Sequence, residues 1–359
     1  MTRRAEEPRA VLVRSPNWLG DAVLSMPAVE AIRRLYPEAT IGVLSPEALA
    51  PLWAMQPMVD TVEAFGPTRG LARLWDDLRL AGRIRKERWE LAVVFPNSFR
   101  SALLPAMAGV SRRVGFATDG RRWLLTDRLS KTEELRADHQ MDQYLRLVRA
   151  LGYDGPQPPV RLTVEPERLR WADALLKRHK LAGGRCPVVG IHPGATYGPA
   201  KRWFPERFAA LAEAVANELG ALVLVCGGSG EAPWAADAAA ARPGQLLDWT
   251  GRTDVAALAA LLARCDVVVC NDSGPMHVAA AVGTPVVALF GSSDPARTGP
   301  VGPGHVVVRE HVECSPCFAR TCPLQESKYV CFEPIGVERV LEAVAERLVV
   351  SYAESGQPL

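Results

Sequence analysis

Apolar residues recur along this chain with two alternating periods. In the first half, short continuous apolar runs predict strands at residues 10–14, 40–44, 59–65 and 90–95, with an edge strand at 112–116. Between them the spacing widens to that of a helix face, as in Leu24, Ala28, Ala31, Ile32 and Leu35. Pro27 falls inside that pattern and is expected to kink or split the helix, because proline cannot donate to the preceding turn. A helix over 138–151 should close at Gly152. The second half repeats the rhythm with stronger strands at 187–192, 221–226, 266–270 and 285–290, with a helix over 205–219. Runs such as Val267-Val268-Val269 are apolar throughout, as in parallel strands covered on both faces. A last helix, 337–352, carries Val340, Leu341, Val344 and Leu348 on one face.

Strands alternating with helices predict an α/β protein with doubly wound parallel sheets. Its length of 359 residues suggests two domains at roughly 150 residues each. The stretch 155–159 holds three Pro in five residues and reads as a stiff connection, so the boundary is expected between there and Gly184. We expect domains over 1–165 and 166–335, then a helix and tail, 336–359, packing back on the first domain. Two such domains imply a cleft between them, a favoured place for ligands.

Composition narrows the class. The net charge of +2 gives no general argument for nucleic acid, and short basic clusters such as Arg112-Arg113 read as solvated faces. The longest stretch free of Asp, Glu, Lys and Arg, residues 273–293, is broken by Pro275, Gly283 and Pro285 and does not read as a membrane span. With no signal peptide visible before residue 10, a cytoplasmic protein is expected. Its eight cysteines then read as thiols or metal ligands before disulfides.

Four elements can carry chemistry. The first is Asn271-Asp272-Ser273-Gly274-Pro275-Met276-His277, after a buried strand. Pro275 in the first helical turn and the free N–H groups make an anion site suited to a diphosphate. The plainer reading has Asp272 or Ser273 only capping the helix. The second is His192-Pro193-Gly194-Ala195-Thr196 to Lys201-Arg202-Trp203, where Thr196 offers a hydroxyl and Lys201 a point charge. The third is the loop 15–21, with Asn17, Gly20 and Asp21 at a strand end, where a carboxylate can act as general base. The fourth is Cys314, Cys317, Cys322 and Cys331, spaced C-x2-C-x4-C-x8-C. These can build a structural zinc site, hold an iron–sulfur cluster, or stand as thiols. No G-x-G-x-x-G, P-loop, D-x-D or H-E-x-x-H pattern occurs.

The motifs at Asn17 to Asp21, His192 to Trp203 and Asn271 to His277 resemble those of the ADP-heptose:lipopolysaccharide heptosyltransferases, from about Val11 to Ile335. The Cys-rich segment is similar to one in heptosyltransferase II sequences. The resemblance implies a GT-B fold of two Rossmann-like domains, acceptor on the first and nucleotide sugar on the second. Carried to this chain, Asp21 would be the general base. Thr196, Lys201, Asp272, Ser273, Gly274 and His277 would hold the diphosphate, with Lys201 also assisting departure of ADP. Glu231 would reach the ribose and Thr253 would line the adenine. Asn17, Arg100 and His139 would meet the acceptor. The implied reaction is inverting transfer of heptose from ADP-heptose to a heptose of the lipopolysaccharide inner core. It would require no cofactor. The acceptor would be the lipid A-core oligosaccharide, met in transient contact with the inner membrane. Two alternatives stand beside it: an enzyme of the same fold with another nucleotide-sugar donor, and a non-catalytic nucleotide-sugar-binding protein.

Overall fold

The computed structural model describes residues 7–67, 70, 72–178 and 186–354, so the end of the expected boundary region, at Gly184, lies outside the described residues. The chain divides into two compact units, Met1–Thr163 and Val164–Leu359. Thr163 closes the first unit, exchanging two hydrogen bonds with the side-chain amide of buried Gln56 (3.1 and 3.2 Å).

The first unit carries β1 (Ala10–Arg14), β2 (Thr40–Pro46), β3 (Thr61–Phe65), β4 (Leu91–Val94), β5 (Arg112–Phe116) and β6 (Asp127–Leu129). They form one sheet in the order β3-β2-β1-β4-β5-β6, and every pairing is parallel. The second carries β7 (Val188–His192), β8 (Leu222–Val225), β9 (Leu246–Asp248), β10 (Val267–Asn271), β11 (Val286–Phe290) and β12 (Val306–Arg309). Its order, β9-β8-β7-β10-β11-β12, is the same layout, again wholly parallel. In each sheet the order reverses beside the first strand, between β1 and β4 and between β7 and β10. Such a switch point leaves a crevice at the strand carboxyl ends.

The apolar runs explain the layering. All of β4, β7, β8, β10 and β11 is buried. One face of the second sheet packs on helix Pro205–Glu218 and on the last helix, Val337–Glu354, through Val340, Ala343, Val344 and Leu348. That apolar face is therefore buried inside the second unit's own core. In the first unit, helix Ala72–Lys86 buries Leu80, Ala81 and Ile84 with Leu12, Ala92 and Val94.

Three expectations change. Pro27 does not split its helix, which runs unbroken from Leu19 to Leu35 with Pro27 buried. The strand 112–116 is interior, because β6 pairs outside it. The short strands β6, β9 and β12, which the apolar runs did not mark, lie at the sheet edges and are only partly buried. No helix among the described residues is long and apolar enough to cross a membrane.

Candidate functional site

In the second unit, the two motifs flanking the switch point are joined by one buried side chain. Asn271, the last residue of β10, accepts from the Trp203 backbone N–H (2.9 Å) and donates to the Pro193 carbonyl (2.7 Å). The loop after β7 and the turn after β10 are thereby fixed to each other. Lys201 stands in the 3-10 turn Pro199–Lys201, and its ammonium donates to the Asp272 carboxylate. The Thr298 hydroxyl donates to the same oxygen (3.2 Å), and the Tyr197 ring lies 5.1 Å from the Lys201 nitrogen. Ser273 is the N-cap of helix Gly274–Ala281, but its side chain makes no capping bond. Its hydroxyl is buried without a partner, as are those of Ser292 and Ser293 just past β11. His277 is buried in the first turn. Lys201, Asp272, Ser273, Gly274 and His277 are thus brought together at a helix N-terminus, where free N–H groups and the helix dipole favour an anion. Buried hydroxyls without protein partners are uncommon, and these three keep donor and acceptor capacity beside that helix N-terminus.

Neighbouring strand ends carry the other expected residues. Glu231 accepts from the Gly228 N–H (2.7 Å) and sets its carboxylate 3.6 Å from the His192 imidazole. A Cβ on Gly194 would lie 2.1 Å from that carboxylate, so a side chain there would displace Glu231 from its present place. Burial holds the His192 imidazole below its usual range, with Glu231 opposing. Thr253 is half-buried just before Asp254, which caps helix Val255–Leu262 (Ala257 N–H to Asp254, 2.6 Å). The Gly251 N–H bonds the Gly227 carbonyl (2.8 Å), bringing this loop beside the Glu231 turn. Thr196 is solvent-exposed in the Lys201 loop.

The first unit holds Asn17, Asp21, Arg100 and His139. Asp21 lies half-buried in the first turn of helix Leu19–Leu35. The Tyr144 hydroxyl, from helix Gln140–Arg149, donates to it (3.2 Å). Burial pushes the Tyr144 phenol well up, and the Asp21 charge adds to that, so the phenol stays a donor. The Tyr144 ring packs against Phe95 (5.2 Å). Asn17 accepts from buried Arg14 (2.7 Å), the last residue of β1. Burial, and then the nearby charge of Arg100, lower the Arg14 guanidinium to about 9. Arg100 donates through Nε to Asp77 (3.0 Å), and the rings and cations stack, with Phe65 lying 4.6 Å from Arg14 and 5.5 Å from Arg100. His139 caps helix Gln140–Arg149, accepting from the Met141 N–H (3.3 Å).

Sequence reading missed Arg14, Ser292 and Ser293 as parts of these sites, and it placed His192 and Tyr144 in site segments without a role of their own. Strand-end position marks Arg14, His192 and the serines; nothing local marks Tyr144.

The Cys-rich segment braces the Lys201 loop. The Tyr197 hydroxyl donates to the Phe318 carbonyl (2.9 Å), Arg320 to the Tyr197 carbonyl (2.9 Å), and the Ala200 N–H to the Arg320 carbonyl (3.1 Å). Cys314, Cys317, Cys322 and Cys331 line one pocket with Ala200 and Tyr329, all as free thiols. They sit at different depths, from exposed Cys314 and Cys317 to buried Cys331. Among the described residues no group of three or more His, Cys, Asp or Glu is set to hold a metal ion. Through the contacts of Tyr197, Ala200 and Arg320 the segment acts as a brace for the Lys201 loop.

Comparison with known proteins gives the family. Residues 78–328 match the model of glycosyltransferase family 9 (heptosyltransferase). Lipopolysaccharide heptosyltransferase 2 of Salmonella typhimurium (strain LT2) is 33% identical over 83% of this chain and 87% of its own. Lipooligosaccharide heptosyltransferase 2 of Haemophilus influenzae is 32% identical over 83% and 88%. The solved structure of Escherichia coli ADP-heptose lps heptosyltransferase II is 29% identical, with a TM-score of 0.78 over 95% of this chain and 98% of that one. Two units of Rossmann strand order with an anion-ready turn in the second fit that company, and the chain belongs to glycosyltransferase family 9, the heptosyltransferases.

Proposed function

We propose that this glycosyltransferase moves heptose from ADP-heptose to a heptose of the lipopolysaccharide inner core, with inversion at the anomeric carbon. The observation that carries the donor half is that the Asn271 side chain fixes the Lys201 loop to the turn that opens the helix at Gly274, with Lys201 held on Asp272 of that turn. This set suits a diphosphate. Asp272 is a carboxylate and would repel one, so its part is to position Lys201, with Thr298. Glu231 and Thr253, at the ends of neighbouring strands, are read as the nucleoside side, and His192 as the group that orients Glu231.

The acceptor half rests on Asp21. Its carboxylate is exposed enough to meet a hydroxyl, while Tyr144 fixes its orientation. In this reading Asp21 takes the acceptor proton as the oxygen attacks the anomeric carbon, and the bond to the ADP oxygen breaks. Charge then grows on ADP, where Lys201 and the helix N–H groups stabilise it without rearranging. The transition state is oxocarbenium-like, by analogy with glycoside hydrolysis. Asn17, Arg100 and His139 are assigned to acceptor placement, Arg100 by way of its pair with Asp77.

The direct test is ADP release from ADP-heptose with and without a heptose-bearing lipid A core. Acceptor-dependent release is expected. Binding of ADP-heptose with no release on any acceptor would favour a nucleotide-sugar-binding protein. Failure to bind it at all, with turnover of a UDP-, GDP- or TDP-sugar, would move the donor.

A further inference from the structure

Helix Ala72–Lys86 is apolar on two faces, and only one is explained by the fold. Leu80, Ala81 and Ile84 enter the core of the first unit, and Asp77 is buried in its pair with Arg100. On the other face Leu74, Trp75 and Leu78 stand in solvent, with Trp75 66% and Leu74 57% exposed. Spacings of three and four place these three on one stripe. Around them the helix carries Arg73, Arg79, Arg83, Arg85 and Lys86, all exposed. Large aromatic and aliphatic side chains standing in water within a basic surround are what an interfacial helix presents to a bilayer.

The stripe does not stand alone. Trp18 and Phe99 are also exposed, and both follow strand carboxyl ends, Trp18 after β1 and Phe99 after β4. The Arg100–Asp77 pair ties the first turn of helix Phe99–Met107 to helix Ala72–Lys86. Phe65, between Arg14 and Arg100, ties the same corner to the Asn17 loop. Leu74, Trp75, Leu78, Trp18 and Phe99 therefore share one rim of the first unit, the rim that carries Asp21. Tryptophan side chains favour the headgroup level of a membrane, and clustered arginines favour anionic lipid.

We propose that this rim docks on an anionic phospholipid surface, with Leu74, Trp75 and Leu78 entering the headgroup boundary and Arg73 and Arg79 meeting lipid phosphates. The proposal rests on the reading of the acceptor as lipid-anchored, since docking there presents Asp21 to a saccharide at the surface. The test is cosedimentation of the full chain with phosphatidylethanolamine–phosphatidylglycerol vesicles and with neutral phosphatidylcholine vesicles. Salt-sensitive binding to the anionic vesicles is expected. The triple variant Leu74→Ser, Trp75→Ser, Leu78→Ser should lower the partition coefficient at least about tenfold. Arg73→Glu with Arg79→Glu should weaken binding to anionic vesicles alone. Val349→Ser, an exposed apolar position of the second unit, should change nothing. The triple variant should also lose ADP release on vesicle-embedded acceptor while keeping it on deacylated, water-soluble acceptor. No binding of the unmodified chain, or equal binding by the triple variant, overturns the proposal. The vesicle arm needs neither donor nor acceptor, so its outcome is separate from that of the donor assignment.

Discussion

The two units of this glycosyltransferase share a strand order and differ in what they place at the strand ends. In the first, β1 ends in Arg14, a buried cation whose guanidinium binds Asn17, and the carboxylate of Asp21 follows in the next helix turn under Tyr144. In the second, β7 ends in His192, held against Glu231, and the cation is Lys201, aimed by Asp272 at a helix N-terminus. One scaffold thus offers a carboxylate at one switch point and a cation at the other. The lesson is that the sheet supplies the crevice and the loops supply the chemistry.

That contrast can be broken from either side. The largest effect is expected from Asp21→Asn, which should lower turnover by about 10²- to 10⁴-fold, the usual range for a general base. ADP affinity should not change, because Asp21 belongs to the first unit; turnover close to that of the parent enzyme would end its assignment as base. From the other side, Lys201→Ala should weaken ADP binding by about ten- to a hundredfold in calorimetric titration, the span of a charged hydrogen bond. Unchanged affinity would remove the diphosphate contact.

Asn271→Ala tests whether the second site is one body. It leaves the Trp203 N–H and the Pro193 carbonyl without their partner, so stability to urea should fall by about 1–3 kcal/mol. No loss would mean that the two loops hold their places independently. Ser273→Ala removes a buried hydroxyl that has no protein partner. It should leave thermal stability unchanged yet reduce ADP affinity by about two- to tenfold; a lower Tm with unaltered affinity would make Ser273 structural.

The smallest effect is a pH dependence confined to the second unit. His192 in the folded protein resists protonation, because burial lowers its pKa. Below about pH 6.5 the unfolded chain binds a proton that the folded chain refuses. The His192 contribution is therefore complete above that pH and is lost as pH falls. Replacing His192 with Gln should flatten the fall of the urea midpoint between about pH 7.5 and 5.5. A variant with the same slope as the parent would place the titration elsewhere.

The sequence by itself determined the fold class, most strands and three of the loops. Short, β-branched apolar runs such as Val267 to Cys270 read as strands buried on both faces, and each motif directly follows one. It did not reveal β6, β9 or β12, which lie at the sheet edges and are only partly covered, so they lack the wholly buried apolar run that marks an interior parallel strand. Pro27 did not split its helix, where burial of most of Ala22 to Ile32 outweighs one missing hydrogen bond. Only tertiary structure decided the partners: Tyr144 reaches Asp21 across 123 residues of chain, and Asn271 reaches Trp203 across 68. Only tertiary structure set the four thiols around one pocket, at depths from exposed to buried. Local periodicity encodes which face of an element is buried, but the identity of what lies against that face depends on loop closure and packing over the whole chain, which no local pattern records.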